Sequence, residues 1–124
     1  MRWDYVGITS SDLEASVRFY RLLGCPFPDP NGENHIEAEF ENGMRLALDS
    51  LALLQKLGDW TDPVGQRIGL AFSAGKPEAA DRTYGAIISA GFQGVTEPWA
   101  AFWGQRYAQV LDPDGNKVDI YAPL

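Results

Sequence analysis

The chain has 124 residues, 45% of them hydrophobic and 22% charged, and a formal net charge of −7. That length makes one domain able to bury roughly two thirds of its unfolded surface; the acidity works against nucleic acid and anionic membranes as partners, and leaves solubility or a cationic small molecule as its use. Cys25 is the only cysteine, no apolar run approaches the roughly 20 residues that cross a bilayer, and no signal-peptide pattern opens the chain, so the expected place is a reducing cytoplasm.

In chain order, Trp3 to Thr9 reads as a first strand. Ser11 and Glu14 have the spacing of a capping box for a first helix, with Leu13, Val17, Tyr20 and Leu23 on one face and Gly24 at its end. Cys25 to Pro30 is irregular or a short edge strand, because Pro26, Pro28 and Pro30 cannot donate to a central ladder. Glu33 to Phe40 and Met44 to Asp49 read as strands, and Ser50 as the cap of a short leucine-rich helix closed by Gly58. The stretch from Gly58 to Gly65 links two halves. Arg67 to Ser73 is the next strand, and Pro77 opens a second long helix with Ala80, Tyr84, Ile87 and Ile88 inward and Gly91 at its end. Phe92 to Val95 reads as a short strand and Glu97 to Gly104 as an aromatic loop. Tyr107 to Leu111 and Lys117 to Tyr121 are two strands joined by Asp112-Pro113-Asp114-Gly115, whose Pro and Gly suit turn positions.

The two halves repeat one layout. Gly43-Met44-Arg45-Leu46 matches Gly115-Asn116-Lys117-Val118, and Tyr5-Val6-Gly7-Ile8 matches Arg67-Ile68-Gly69-Leu70. The expected fold is therefore α+β: two tandem βαβββ modules, about 1–57 and 66–124, sharing a curved mixed sheet with helices on the outer face, in a single domain over 1–124. Side chains alternate across strands. Even positions such as Ile36, Leu46, Leu48, Ile68, Val110, Val118 and Ile120 are apolar and belong against the helices. Odd positions mix Tyr5, His35, Glu37, Glu39, Arg45, Asp49, Arg67, Tyr107, Gln109, Asp119 and Tyr121, which suits either a solvated face or a pocket wall.

Ser16 to Gly24, Trp103-Gly104-Gln105-Arg106-Tyr107 and Asp112-Pro113-Asp114-Gly115-Asn116, taken with the repeat, resemble the glyoxalase, bleomycin-resistance and extradiol-dioxygenase superfamily, also called vicinal oxygen chelate proteins. The Trp-Gly pair is most similar to its bleomycin-resistance branch. The resemblance implies an open sheet face that forms a ligand cavity. It implies metal ligands at four strand positions, which the motif match puts at Tyr5, Ala47, Arg67 and Asp119. Ala47 offers no donor atom, a guanidinium offers no lone pair, and a divalent site needs about three protein ligands. The inherited metal site is thus expected to be lost, with Arg67 and Asp119 forming an ion pair across it. A substitute set from His35, Glu37 and Glu39 shares one strand face, but neighbours at i and i+2 are expected to fan apart. No metal and no cofactor are expected.

The expected function is metal-independent binding of a small molecule, aromatic or cationic, as in bleomycin-type antibiotic resistance. Ligand contacts are expected from Tyr5, His35, Glu37, Arg67, Trp99, Trp103, Tyr107, Asp119 and Tyr121. The alternative is a metal-dependent lyase, isomerase or dioxygenase with a displaced site. No Ser–His–Asp set or Gly-rich phosphate loop is present. Exposed aromatic surface on the open face predicts a homodimer.

Overall fold

A computed structural model describes every residue of the chain except 59, 63–65 and 67. Two compact units follow one another, residues 1–62 and 63–124, each a mixed α+β layer of helix on sheet.

The first unit holds β1 (Tyr5–Ser10), α1 (Leu13–Leu22), β2 (His35–Glu39), β3 (Arg45–Ser50) and α2 (Leu51–Leu57). Its three strands lie in the order β1-β3-β2, with β1 parallel and β2 antiparallel to β3. The cap of α1 is Asp12 rather than Ser11: its carboxylate accepts the Ala15 N–H at 3.1 Å. A carboxylate satisfies the orphan N–H and also meets the positive helix end. The proline-rich stretch after Gly24 forms no strand. Ser50 caps α2 by accepting from Leu53 N, as expected.

The second unit holds β4 (Leu70–Ser73), α3 (Pro77–Ser89), β5 (Gln93–Ala101), β6 (Gln105–Leu111) and β7 (Lys117–Pro123), a full βαβββ set. The strand order is β4-β7-β6-β5. The region expected to be an aromatic loop is instead most of β5, a nine-residue edge strand. Pro98 lacks an N–H and is tolerated there because an edge strand leaves one side unpaired. Register shifts on either side of Thr96 absorb two extra residues, so that Trp99 comes opposite Tyr107. Only Phe102, Trp103 and Gly104 remain as the turn into β6.

The repeat is visible in local geometry. Both long helices end in the same motif: Cys25 N bonds Tyr20 O while Gly24 N bonds Arg21 O, and Phe92 N bonds Ile87 O while Gly91 N bonds Ile88 O. Both hairpins close alike, with Phe40 N to Met44 O and Gly43 N to Phe40 O in one, and Asp112 N to Asn116 O and Gly115 N to Asp112 O in the other. Gly43 and Gly115 have φ of 86° and 85°, left-handed values that favour glycine. In the second hairpin Asp112 is buried, and its carboxylate accepts from Asp114 N, Asn116 N and Asn116 Nδ2.

One part of the sequence match shifts. With the two hairpin glycines set equivalent, Leu46 corresponds to Val118. Val6 lies opposite Leu46, and Leu70 lies opposite Val118. Leu70 therefore corresponds to Val6, not to Ile8, and Tyr5 corresponds to Gly69 rather than Arg67.

Alternation sets the cores. Ile36, Ala38, Leu46 and Leu48 are buried in the first sheet, and α1, packed on β3, buries Val17, Phe19 and Tyr20. Ala108, Val110, Val118 and Ile120 are buried in the second, and α3, packed on β5, β6 and β7, buries Ala80 and Ile87. Each such aliphatic side chain contributes about 1.5–3 kcal/mol relative to exposure. Ile68, expected in this layer, precedes β4 and is 75% exposed, whereas Ile88 is 39% exposed with its Cδ1 against Gly94. Tyr84 of α3 lies against Gly94 of β5, where a Cβ would collide with its hydroxyl. Arg106 of β6 forms a forked bond to Asp81 of α3, at 2.8 and 3.2 Å. Among the described residues no helix is long and apolar enough to cross a membrane.

Candidate functional site

Residues of the second sheet that face away from α3 form two connected pieces. The first is aromatic. Trp99, Tyr107 and Tyr121 come from β5, β6 and β7 in one cross-strand row. Trp103, from the turn, sets its ring edge-on to Trp99 at 5.5 Å and to Tyr107 at 5.2 Å, with Phe102 edge-on to it at 5.0 Å. Such edge-to-face pairs hold the rings in fixed orientation. The Trp103 indole N–H donates to Gln105 Oε1 at 2.8 Å.

The second piece is polar and continuous with it. Asp119 Oδ1 accepts from the Tyr107 hydroxyl at 2.9 Å and from Gln109 Nε2 at 2.8 Å, and Gln109 Nε2 also donates to Tyr107 Oη at 3.3 Å. Burial, and then the bond to Asp119, push the Tyr107 phenol up to about 12, so it stays a protonated donor at neutral pH. Beside it is an open cavity of about 430 Å³, lined on β6 and β7 by Gln109, Lys117 and Asp119 and across from them by Gln66, Ile68 and Gly69. The Gln66 side-chain amide docks on the edge of β7, accepting from Lys117 N at 2.6 Å and donating to Lys117 O at 3.0 Å and to Ile68 O at 2.7 Å. It does the pairing work of a strand just where β4 has not yet begun.

The corresponding face of the first unit is a charge network. His35 Nδ1 bonds Asp49 Oδ1 at 2.5 Å, and His35 Nε2 bonds Glu37 Oε2 at 2.8 Å. Arg45 reaches Glu37 Oε1 at 3.2 Å and Asp4 Oδ1 at 3.7 Å, and its guanidinium lies 5.1 Å from the centre of the Tyr5 ring. The bond to Asp49, then that to Glu37, raise the His35 pKa, since the imidazolium donates to both carboxylates. The bond from His35 is the largest cause that lowers Glu37. Burial, then Asp49 and Glu37, raise the Tyr5 phenol.

Of the sequence-derived site residues, Trp99, Trp103, Tyr107 and Asp119 come together in the second unit, with Tyr121 in the same row. Tyr5, His35 and Glu37 belong to the first unit. Arg67 lies outside the described residues, and so does its expected pair with Asp119. His35 and Glu37 do not fan apart: a long glutamate side chain spans the i, i+2 spacing and meets the ring. Gln109 and Asp49 were missed as site residues. The signal for Gln109 was its place two residues from Tyr107 on a strand facing Asp119.

Among the described residues, the inherited strand positions hold too few donors for a metal ion. Ala47 is buried and has no donor, and Tyr5 and Asp119 alone fall short of the roughly three protein ligands that a divalent site needs. The register puts Gly69, also without a donor, at the place corresponding to Tyr5. Among the described residues no three His, Cys, Asp or Glu side chains gather as a metal would require.

A repeated hairpin closure, a full βαβββ unit following a three-stranded one, and a cavity on the open face of the second sheet point to one class of protein. The chain belongs to the Glyoxalase/Bleomycin resistance protein/Dioxygenase superfamily, whose family model matches residues 2–120. Its fold is similar to a glyoxalase/bleomycin resistance protein/dioxygenase family enzyme from Burkholderia phytofirmans, with a TM-score of 0.81, 22% identity and 98% of each chain covered. It is similar also to a glyoxalase-related enzyme from Fulvimarina pelagi, with a TM-score of 0.80, 25% identity and coverage of 98% of this chain and 87% of that one. The oxidase ChaP-H2 has a TM-score of 0.66 at 21% identity, with 100% of this chain and 94% of that one covered. No curated protein matches the chain in sequence.

Proposed function

We propose that the protein binds a small planar, cationic molecule on the open face of its second unit, without a metal ion. The observation that carries this reading is the continuity of the wall of Trp99, Trp103 and Tyr107 with the Asp119 carboxylate. Aromatic faces stack on planar groups and attract cations, and a carboxylate beside them supplies the opposite charge. The catalytic alternative, a lyase, isomerase or dioxygenase with a displaced metal, draws on neighbours described as enzymes, but the donor set at the inherited positions does not favour it.

Calorimetric titration with a planar aromatic cation tests the reading. Trp103→Ala and Asp119→Asn are each expected to weaken binding by about 1–3 kcal/mol while the protein stays folded. Normal binding by both folded variants would place the pocket elsewhere. Elemental analysis is expected to find divalent metal well below one ion per chain; a stoichiometric ion, lost in Asp119→Ala, would favour the catalytic alternative instead. The exposed Phe102, with Trp103, Trp99 and Val95 also open, further supports self-association into a homodimer. Light scattering at micromolar concentration is expected to give twice the chain mass, and a monomer would reject this.

A further inference from the structure

We propose that the cavity beside Asp119 selects its ligand by N–H donors rather than by positive charge alone, so that it takes amidinium-, guanidinium- or amine-bearing planar compounds and discriminates against N-alkylated cations; this rests on the binding reading given above. The polarity of the site follows from its hydrogen bonds. The Tyr107 hydroxyl donates to Asp119. The Gln109 amide nitrogen donates to Asp119 at 2.8 Å and to Tyr107 at 3.3 Å. The amide orientation is fixed, because its oxygen in that place would oppose the carboxylate oxygen. Both N–H groups of Gln66 are engaged on Ile68 O and Lys117 O.

Among the described residues, the Tyr107, Gln109 and Gln66 side chains that border this part of the cavity direct their donors to internal partners, while acceptors remain. Among the described residues Asp119 Oδ2 and Gln109 Oε1 accept no hydrogen bond. A ligand that displaces water from them without supplying N–H groups leaves acceptors buried and unpaired, which binding sites penalise heavily. Among the described lining residues Lys117 has spare donors; it is exposed, and its flexible four-carbon stem lets the ammonium stay in water.

The test compares 2-naphthamidinium, a planar cation with four N–H donors, with N-methylquinolinium, a planar cation with none, by calorimetric titration of the whole protein. The amidinium is expected to bind wild type about tenfold tighter or more, the discrimination given by a hydrogen bond to a charged group. In Asp119→Asn the ratio is expected to fall below about threefold, since the amide has one acceptor fewer. In Tyr107→Phe it should hold or rise, because Oδ1 is relieved of one donor. Equal affinities in wild type overturn the donor requirement but leave the stacking reading standing. Binding of neither compound overturns both. Should Asp119→Asn fail to fold, Tyr107→Phe decides, and a ratio below about threefold there overturns the proposal.

Discussion

Positions that correspond in the two hairpins carry different chemistry. Where the first unit sets His35 opposite Asp49, the second sets Tyr107 opposite Tyr121. Where the first has Glu37 opposite Ala47, the second has Gln109 opposite Asp119. One backbone plan thus presents charges that neutralise one another on one face, and aromatic rings around a single carboxylate on the other. Self-paired charges are already satisfied and gain little from a ligand. A face of rings with acceptors left open among the described residues would gain on the binding proposed above. On the binding proposed above, the two copies differ in function through the polar groups they leave open, since a shared fold does not fix function.

If the two copies share a plan, corresponding core residues should cost similar amounts when truncated. Leu48→Ala and Ile120→Ala remove fully buried, corresponding side chains. Each is expected to destabilise by about 2–5 kcal/mol in chemical denaturation. A negligible loss at either position would break the correspondence. Gly43→Ala and Gly115→Ala probe the hairpins. Both place a Cβ on a left-handed backbone, and both are expected to cost about 1 kcal/mol or somewhat more. A cost at only one hairpin would mean that their closures differ.

The smallest effect, and the one that separates the faces, is in pH dependence. The His35 pKa is raised from its ordinary 6.5, so the native state holds a proton that the unfolded chain releases more readily. Its contribution to stability is therefore full below pH 6.5 and is lost as pH rises through the folded value. The lowered Glu37 carboxyl acts in the other direction, contributing above its ordinary 4.5 and losing that as pH falls through its folded value. His35→Gln is expected to flatten stability against pH above 6.5, measured by thermal melts across a buffer series. An unchanged profile would show the His35 network to be loose in solution.

Much of this was legible in the sequence for definite reasons. Helix ends were marked by Gly24 and Gly91 because a left-handed residue after the last turn favours glycine. The hairpins were marked by Asn42-Gly43 and Asp114-Gly115. Period-two alternation separated the buried layer from the open face. What escaped depended on tertiary context. Ser11 fits a cap as well as Asp12 does until backbone geometry chooses. Pro98 speaks against a strand unless the strand is known to be an edge. The two-residue shift of β4 was hidden because Ile68-Gly69-Leu70 looks like Val6-Gly7-Ile8 in side-chain type alone. Gln109 seemed an ordinary polar strand residue until its partner across β7 was fixed.

The most direct measurement of the central claim is a two-dimensional amide NMR titration of the uniformly 15N-labelled protein with 2-naphthamidinium. Shifts are expected to saturate together at Trp99, Trp103, Tyr107, Gln109 and Asp119, with those at His35, Glu37 and Asp49 unchanged. Shifts centred on His35, Glu37 and Asp49, with the Trp103 indole and the Asp119 amide unmoved, would contradict it.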